Sequence, residues 1–217
     1  MLGYTSTLPV TLEQMLHHTA AVTRGVSGAL VVADMPFMSY QVSDEEGMRN
    51  AGRFLQEAGA DAVKLEGGAI RAPLIRRLVA NGIPVMAHIG LTPQSVLAFG
   101  GYKVQGREAE AAARLEADAA AVAEAGAFSV VLECVPAALA TRITAAIPIP
   151  TIGIGAGAGC DGQILVMHDM LGMTPAGSTA KFVRRFAEVG EAITNATREY
   201  VRDVEAGTYP AAEHSYK

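Results

Sequence analysis

Asp34, Glu66, His88 and Glu133 each end a short apolar run, and together they form one chemical set of carboxylates and an imidazole. The runs are Ala29–Ala33, Ala62–Leu65, Pro84–Ala87 and Phe128–Leu132. Two further runs, Pro150–Gly157 and Ile164–Asp169, bring the strand-like segments to six. In a parallel β/α barrel every strand C-terminus opens onto one face, and chemistry sits there. Carboxylates far apart in sequence are therefore expected to meet in one pocket.

Each residue has a specific chemical use and a structural alternative. Lys64 and Glu66 are two apart on one strand, so both side chains point to the same face. A cation and a carboxylate would then sit together near the barrel mouth, unless they are only an ion pair in a polar layer. Asp34 precedes Met35-Pro36, where the strand stops, and it either faces the pocket or caps the turn. Asp34 and Glu66 together supply hard oxygen ligands of the kind Mg²⁺ takes, since that ion keeps several waters and needs only one or two carboxylates. Zinc would call for a His or Cys cluster, and the spacing offers none. Glu133 follows five apolar residues, and partial desolvation there would raise its pKa toward that of a useful general base. The alternative is a glutamate bonded to loop amides. His88 reads as a proton relay, a hydrogen-bond donor to substrate, or a satisfied structural histidine.

The elements that must position these residues alternate between strand-like and helix-like. Thr11-Leu12-Glu13-Gln14 and Ser43-Asp44-Glu45-Glu46 have the capping-box pattern, and apolar residues at helical spacing follow each. Pro73 opens a third helix, an Ala-rich helix runs from about Arg107 to Ala125, and Pro136 sits at the first position of another. The strands are continuous apolar runs, which is how strands covered on both faces read. The β/α alternation favours a parallel sheet in a single domain spanning 1–217. Phe182, Phe186, Val189, Ile193, Ala196, Tyr200 and Val204 predict a long C-terminal amphipathic helix, either covering the barrel wall or contacting another subunit. Gly153 to Gly159 matches neither nucleotide-loop spacing, so its glycines are expected to permit close backbone approach. His168-Asp169 are expected on the sixth strand, near the pocket floor.

Composition narrows the function class. The chain has 217 residues, a net charge of -5 and no Trp, which argues against a nucleic-acid partner. No apolar run is long enough to span a membrane, and the first residues do not form a signal peptide. Cys134 and Cys160 have no metal spacing, and Cys134 is expected to be a buried small hydrophobe. The expected setting is a reducing cytoplasm.

Several long segments resemble ketopantoate hydroxymethyltransferase, and they run in order along the whole chain. They include Ser6–Thr11, Ala33–Met38, Val63–Gly68, His88–Gln94, Gly100–Gly106, Leu132–Pro136, Ile152–Gly157 and Asp161–Val166, with Tyr209-Pro210 and Glu213–Ser215 near the end. The resemblance implies a (β/α)8 TIM barrel assembled as a decamer. It implies transfer of a hydroxymethyl group from 5,10-methylenetetrahydrofolate to α-ketoisovalerate, through an Mg²⁺-stabilised enolate, to give ketopantoate. By motif match Asp34 and Glu66 would hold the metal, and Asp34 and Lys64 would contact the substrate. Glu133 would be the catalytic base, with His88 beside the reacting carbon or the new hydroxyl. The Gly100–Gly106 loop would border the pocket.

The family pattern begins with two further strands and a Gly-Asp-Ser-Leu-Gly-Met stretch before the segment matched at Ser6. In the family that Asp binds the metal and the Asp-Ser pair grips the substrate. Six strand units are evident here, whereas a (β/α)8 barrel of ~250 residues closes with eight, so roughly 40–60 residues are expected upstream. A start site set too far downstream would explain this. Two other readings compete: an inactive or structural subunit, and an Mg²⁺-dependent α-keto-acid lyase of the phosphoenolpyruvate mutase or isocitrate lyase kind. The second typically carries a Lys-Lys-Cys-Gly-His loop, which this sequence lacks.

Overall fold

The computed structural model describes residues 2–175, 177 and 179–216. The chain divides into two compact units, Met1–Ile164 and Leu165–Lys217. No helix among the described residues is long and apolar enough to cross a membrane.

The first unit is built on a six-stranded sheet: β1 (Val32–Asp34), β2 (Ala62–Glu66), β3 (Val85–Gly90), β4 (Ser129–Glu133), β5 (Thr151–Ile154) and β6 (Gly162–Gln163). Every pair is parallel. The spatial order follows the chain order without reversal. A doubly wound sheet reverses its strand order at a switch point, so this winding is that of a TIM-barrel-type fold. Helix α1 (Leu12–Gly25) precedes β1, and the helices between strands are α2 (Asp44–Gln56), α3 (Ala72–Ala80), α4 (Ala109–Glu124) and α5 (Ala137–Ala146).

Local chemistry accounts for these helices. Thr11 accepts from the Gln14 N–H while the Gln14 side chain bonds back to the Thr11 N–H, a complete capping box. Ser43 caps α2 by accepting from the Glu46 N–H, and the reciprocal half of the expected box is absent. Pro136 is the cap residue before α5 and not its first helical residue. Its missing N–H costs nothing at either place.

Period-two alternation divides each strand between two environments. Val63 and Leu65 of β2, Val85, Ala87 and Ile89 of β3, and Val130 and Leu132 of β4 join one buried core with Leu74, Ile75, Leu78, Val122, Leu139 and Ile143 from the helices. The intervening residues, Lys64, Glu66, His88 and Glu133 among them, lie on the opposite face.

The sixth strand differs from expectation. Pairing occurs at Gly162–Gln163, and Met167–Met170 forms a short helix, α6, in the second unit. A short apolar run does not distinguish strand from helix. Here the pairing is set earlier, by Asp161 accepting from the Thr151 N–H and by the Ile164 N–H donating to the Gly153 carbonyl. The second unit also holds the long C-terminal helix, α7 (Val189–Glu205), followed by an aromatic cluster of Tyr200, Tyr209 and His214. Phe182 and Phe186 precede α7 and are not part of it.

Candidate active site

Each candidate side chain is anchored by backbone hydrogen bonds that continue the sheet ladder past its strand end. The Met35 N–H donates to the Lys64 carbonyl, Gly67 to His88, Leu91 to Glu133, and Cys134 to Ile154. The strand tips are thereby held in a fixed stagger. Asp34 pairs in register with Lys64, Glu66 with His88, and Gly90 with Glu133.

The side chains converge. Lys64 Nζ lies 2.8 Å from Asp34 Oδ1 and 3.3 Å from His88 Nδ1. His88 Nδ1 is 3.8 Å from Glu66 Oε1, and its Nε2 is 3.2 Å from Glu133 Oε2. All five sequence-predicted residues thus form one continuous cluster across four strands, with His88 at its centre and buried.

Burial sets the protonation states. It pushes Glu133 up to about 7, with Lys64 opposing, and it pushes Glu66 up to about 7, with Lys64 opposing and Asp34 assisting. Burial and the neighbouring Lys64 cation lower His88 to about 3. His88 is therefore neutral near pH 7, and its close contacts with the two glutamates are not ion pairs. An ammonium has no lone pair to offer, so Nδ1 accepts from Lys64 and Nε2 carries the hydrogen. Nε2 is close to Glu133 but out of hydrogen-bond alignment. It is buried without a hydrogen-bond partner, whereas Asp34 Oδ1 is paired with the Lys64 ammonium at 2.8 Å. Buried orphan polar atoms are rare, and the His88 Nε2–H leaves one donor of the cluster free for a ligand oxygen.

The donor set fits Mg²⁺. Asp34 and Glu66 offer hard carboxylate oxygens, Glu66 Oε1 without a hydrogen bond and Asp34 Oδ1 held by the Lys64 ammonium, and Mg²⁺ needs only one or two carboxylates beside water and substrate oxygens. No group of three or more His, Cys, Asp or Glu side chains placed to hold a metal ion occurs among the described residues.

Glycine and strain shape the site at two points. Gly90 has φ +92, and a Cβ there would lie 2.3 Å from the Glu133 carbonyl oxygen, so only glycine lets β3 end this close to β4. Cys134 adopts φ +49, which turns the chain away directly after Glu133. Cys134 is half-buried rather than buried, and burial pushes its thiol up to about 11. It is thus a turn residue whose thiol stays protonated near pH 7. The Gln105 N–H donates to the Cys134 carbonyl, which places the Gly100–Gly106 loop beside Glu133.

Other sequence readings resolve differently. Gly157 and Gly159 approach α5 at Ala137 and Thr141, where a Cβ would clash, so their role is close packing. His168 and Asp169 stand on α6, where Asp169 accepts from the Thr174 hydroxyl. Tyr40 and Gln94 carry no periodicity or charge signal, yet both are buried against Glu66: the Glu66 N–H donates to Tyr40 Oη and the Gln94 N–H to Glu66 Oε2. A buried Gln inside the Leu91–Gln94 stretch was their only trace in the sequence.

The profile of the ketopantoate hydroxymethyltransferase family matches residues 1–212. A 3-methyl-2-oxobutanoate hydroxymethyltransferase from Syntrophus aciditrophicus is 61% identical over 216 residues, covering 100% of this chain and 79% of the relative. One of the same description from Carboxydothermus hydrogenoformans is 60% identical, covering 100% and 78%. Among solved structures, a protein assigned as a phosphonomutase from Burkholderia cenocepacia superposes with a TM-score of 0.53 at 17% identity, over 91% of this chain and 79% of that one. That likeness is one of fold alone.

Proposed function

This chain belongs to the ketopantoate hydroxymethyltransferase family, and on that premise we propose that it transfers a hydroxymethyl group from 5,10-methylenetetrahydrofolate to α-ketoisovalerate, forming ketopantoate. The observation that carries the proposal is the Asp34–Lys64–His88–Glu133 cluster with Glu66 at its side.

Removing the C3 proton of a keto acid requires a base that is unprotonated near neutral pH and basic enough to matter. Glu133, held near 7 by burial, meets both conditions. Asp34 and Glu66 would hold Mg²⁺, which when bound supplies Lewis acidity toward the keto and carboxylate oxygens. Lys64 places a cation where the substrate carboxylate would bring negative charge. The free Nε2–H of His88 is positioned to donate to an oxygen of the substrate or of the nascent hydroxyl. The Gly100–Gly106 loop borders the Glu133 side through the Gln105 N–H bond to the Cys134 carbonyl. The exposed Ile193, Tyr200, Val201 and Val204 of α7 support assembly of several copies of the chain, and the absence of a membrane-crossing helix among the described residues is compatible with a cytoplasmic enzyme.

The test is formation of ketopantoate from α-ketoisovalerate with and without 5,10-methylenetetrahydrofolate, and with Mg²⁺ removed by chelation. Product that needs both supports the proposal. Cleavage of a keto acid without folate would replace it by a lyase.

A further inference from the structure

Glu66 is held by a closed ring of hydrogen bonds that lies outside the cluster described above. Its own N–H donates to Tyr40 Oη at 3.0 Å. The Tyr40 hydroxyl donates to Gln94 Oε1 at 2.8 Å. The Gln94 backbone N–H returns to Glu66 Oε2 at 2.9 Å. The Gln94 side chain is engaged at both ends, since Oε1 also accepts from Gln41 Nε2 at 2.9 Å and Nε2 donates to the Met35 carbonyl at 2.8 Å. The Met35 carbonyl can only accept, so the amide has one orientation. Tyr40 is 1% exposed and Gln94 9%, so water does not compete for these bonds.

Gln94 therefore fastens three segments, by its side-chain amide to Met35 and Tyr40 in the loop after β1 and by its backbone N–H to Glu66 at the end of β2, from its own place in the turn after β3. The bond to Oε2 takes one carboxylate oxygen out of the site and fixes the rotamer, leaving Oε1 toward His88. We infer that Gln94, oriented by Tyr40, is the positioning residue that presents Glu66 to a divalent cation through a single oxygen. The inference rests on the metal reading made above. Partners behind a metal-binding carboxylate typically change metal affinity by about 10–100-fold when removed.

The test uses the full chain with Mn²⁺ as probe, its binding followed by the paramagnetic resonance of free Mn²⁺ without substrate. Gln94→Met and Tyr40→Phe are expected to weaken Mn²⁺ binding about tenfold or more while circular dichroism stays that of the wild type. Excess Mg²⁺ should restore turnover, which a general loss of structure would not allow. Folded variants with wild-type Mn²⁺ affinity would overturn the inference and leave the metal reading standing. A wild-type chain that binds no Mn²⁺ would overturn both. If Gln94→Met does not fold, Tyr40→Phe decides, because it removes one oxygen and almost no volume.

Discussion

His88 Nε2 stands 3.2 Å from Glu133 Oε2 while Nδ1 of the same ring stands 3.3 Å from Lys64 Nζ. One neutral imidazole thus separates the cation from the proposed base. The Lys64 contact forces the hydrogen onto Nε2, on the Glu133 side. The cluster is therefore ordered in one direction: cation, neutral ring, carboxylate.

If Glu133 is the base, Glu133→Gln should lower deuterium exchange at C3 of α-ketoisovalerate by about 10²–10⁴-fold. Mn²⁺ binding should be nearly unaffected, because Asp34 and Glu66 remain. Proton NMR of the exchanging position checks this, and wild-type exchange in the variant would remove Glu133 from that role.

The exchange rate should also rise with pH through about 7 and level off above it, since Glu133 acts only when ionised. Lys64 holds the Glu133 pKa down against burial. Lys64→Met should therefore move the inflection of any residual activity to higher pH. It should also weaken α-ketoisovalerate binding, by at least about tenfold for loss of a poorly hydrated charge partner. A pH–rate profile of the variant that coincides with the wild type would contradict both statements.

Stability should carry the same signature. Glu133 is raised on folding from 4.5 to about 7, so between these values the folded chain binds more protons than the unfolded one. This contribution is present below about 4.5 and is lost as pH rises toward 7. The full shift corresponds to about 3 kcal/mol as an upper bound. His88, lowered to about 3, acts in the opposite sense, with stability lost as pH falls from about 6.5, so in the wild type it partly cancels Glu133 and the likewise raised Glu66. Urea unfolding of metal-free wild type and Glu133→Gln at pH 5 and pH 7.5 separates them. The variant should gain relative to the wild type at the higher pH by about 1–3 kcal/mol.

Gly90→Ala should be among the more damaging small substitutions. The added Cβ would lie 2.3 Å from the Glu133 carbonyl oxygen and 2.8 Å from Val135 Cγ2, at φ +92. Overpacking and left-handed strain together predict a loss of about 2–5 kcal/mol. Surviving folded protein should lose exchange activity as well, because the Leu91–Glu133 bond that fixes the end of β4 cannot form undisturbed. Wild-type stability in Gly90→Ala would mean β3 and β4 can separate without cost.

The sequence by itself determined the strand ends and what they carry. Apolar runs ending in Asp34, Glu66, His88 and Glu133 are one-dimensional signals, and period-two alternation alone puts Lys64 and Glu66 on one face. Capping chemistry at Thr11 was equally local. The sixth strand was misplaced, and α7 was begun too early, because short apolar runs fit either period and only pairing with Gly153 or the start of helical hydrogen bonding decides between them. Tertiary structure alone decided the distances that make the cluster a site, the burial that pushes Glu133 and Glu66 up and His88 down, and the Tyr40–Gln94 brace behind Glu66. Desolvation and hydrogen-bond closure depend on which segments come together across the chain, and no local pattern encodes them.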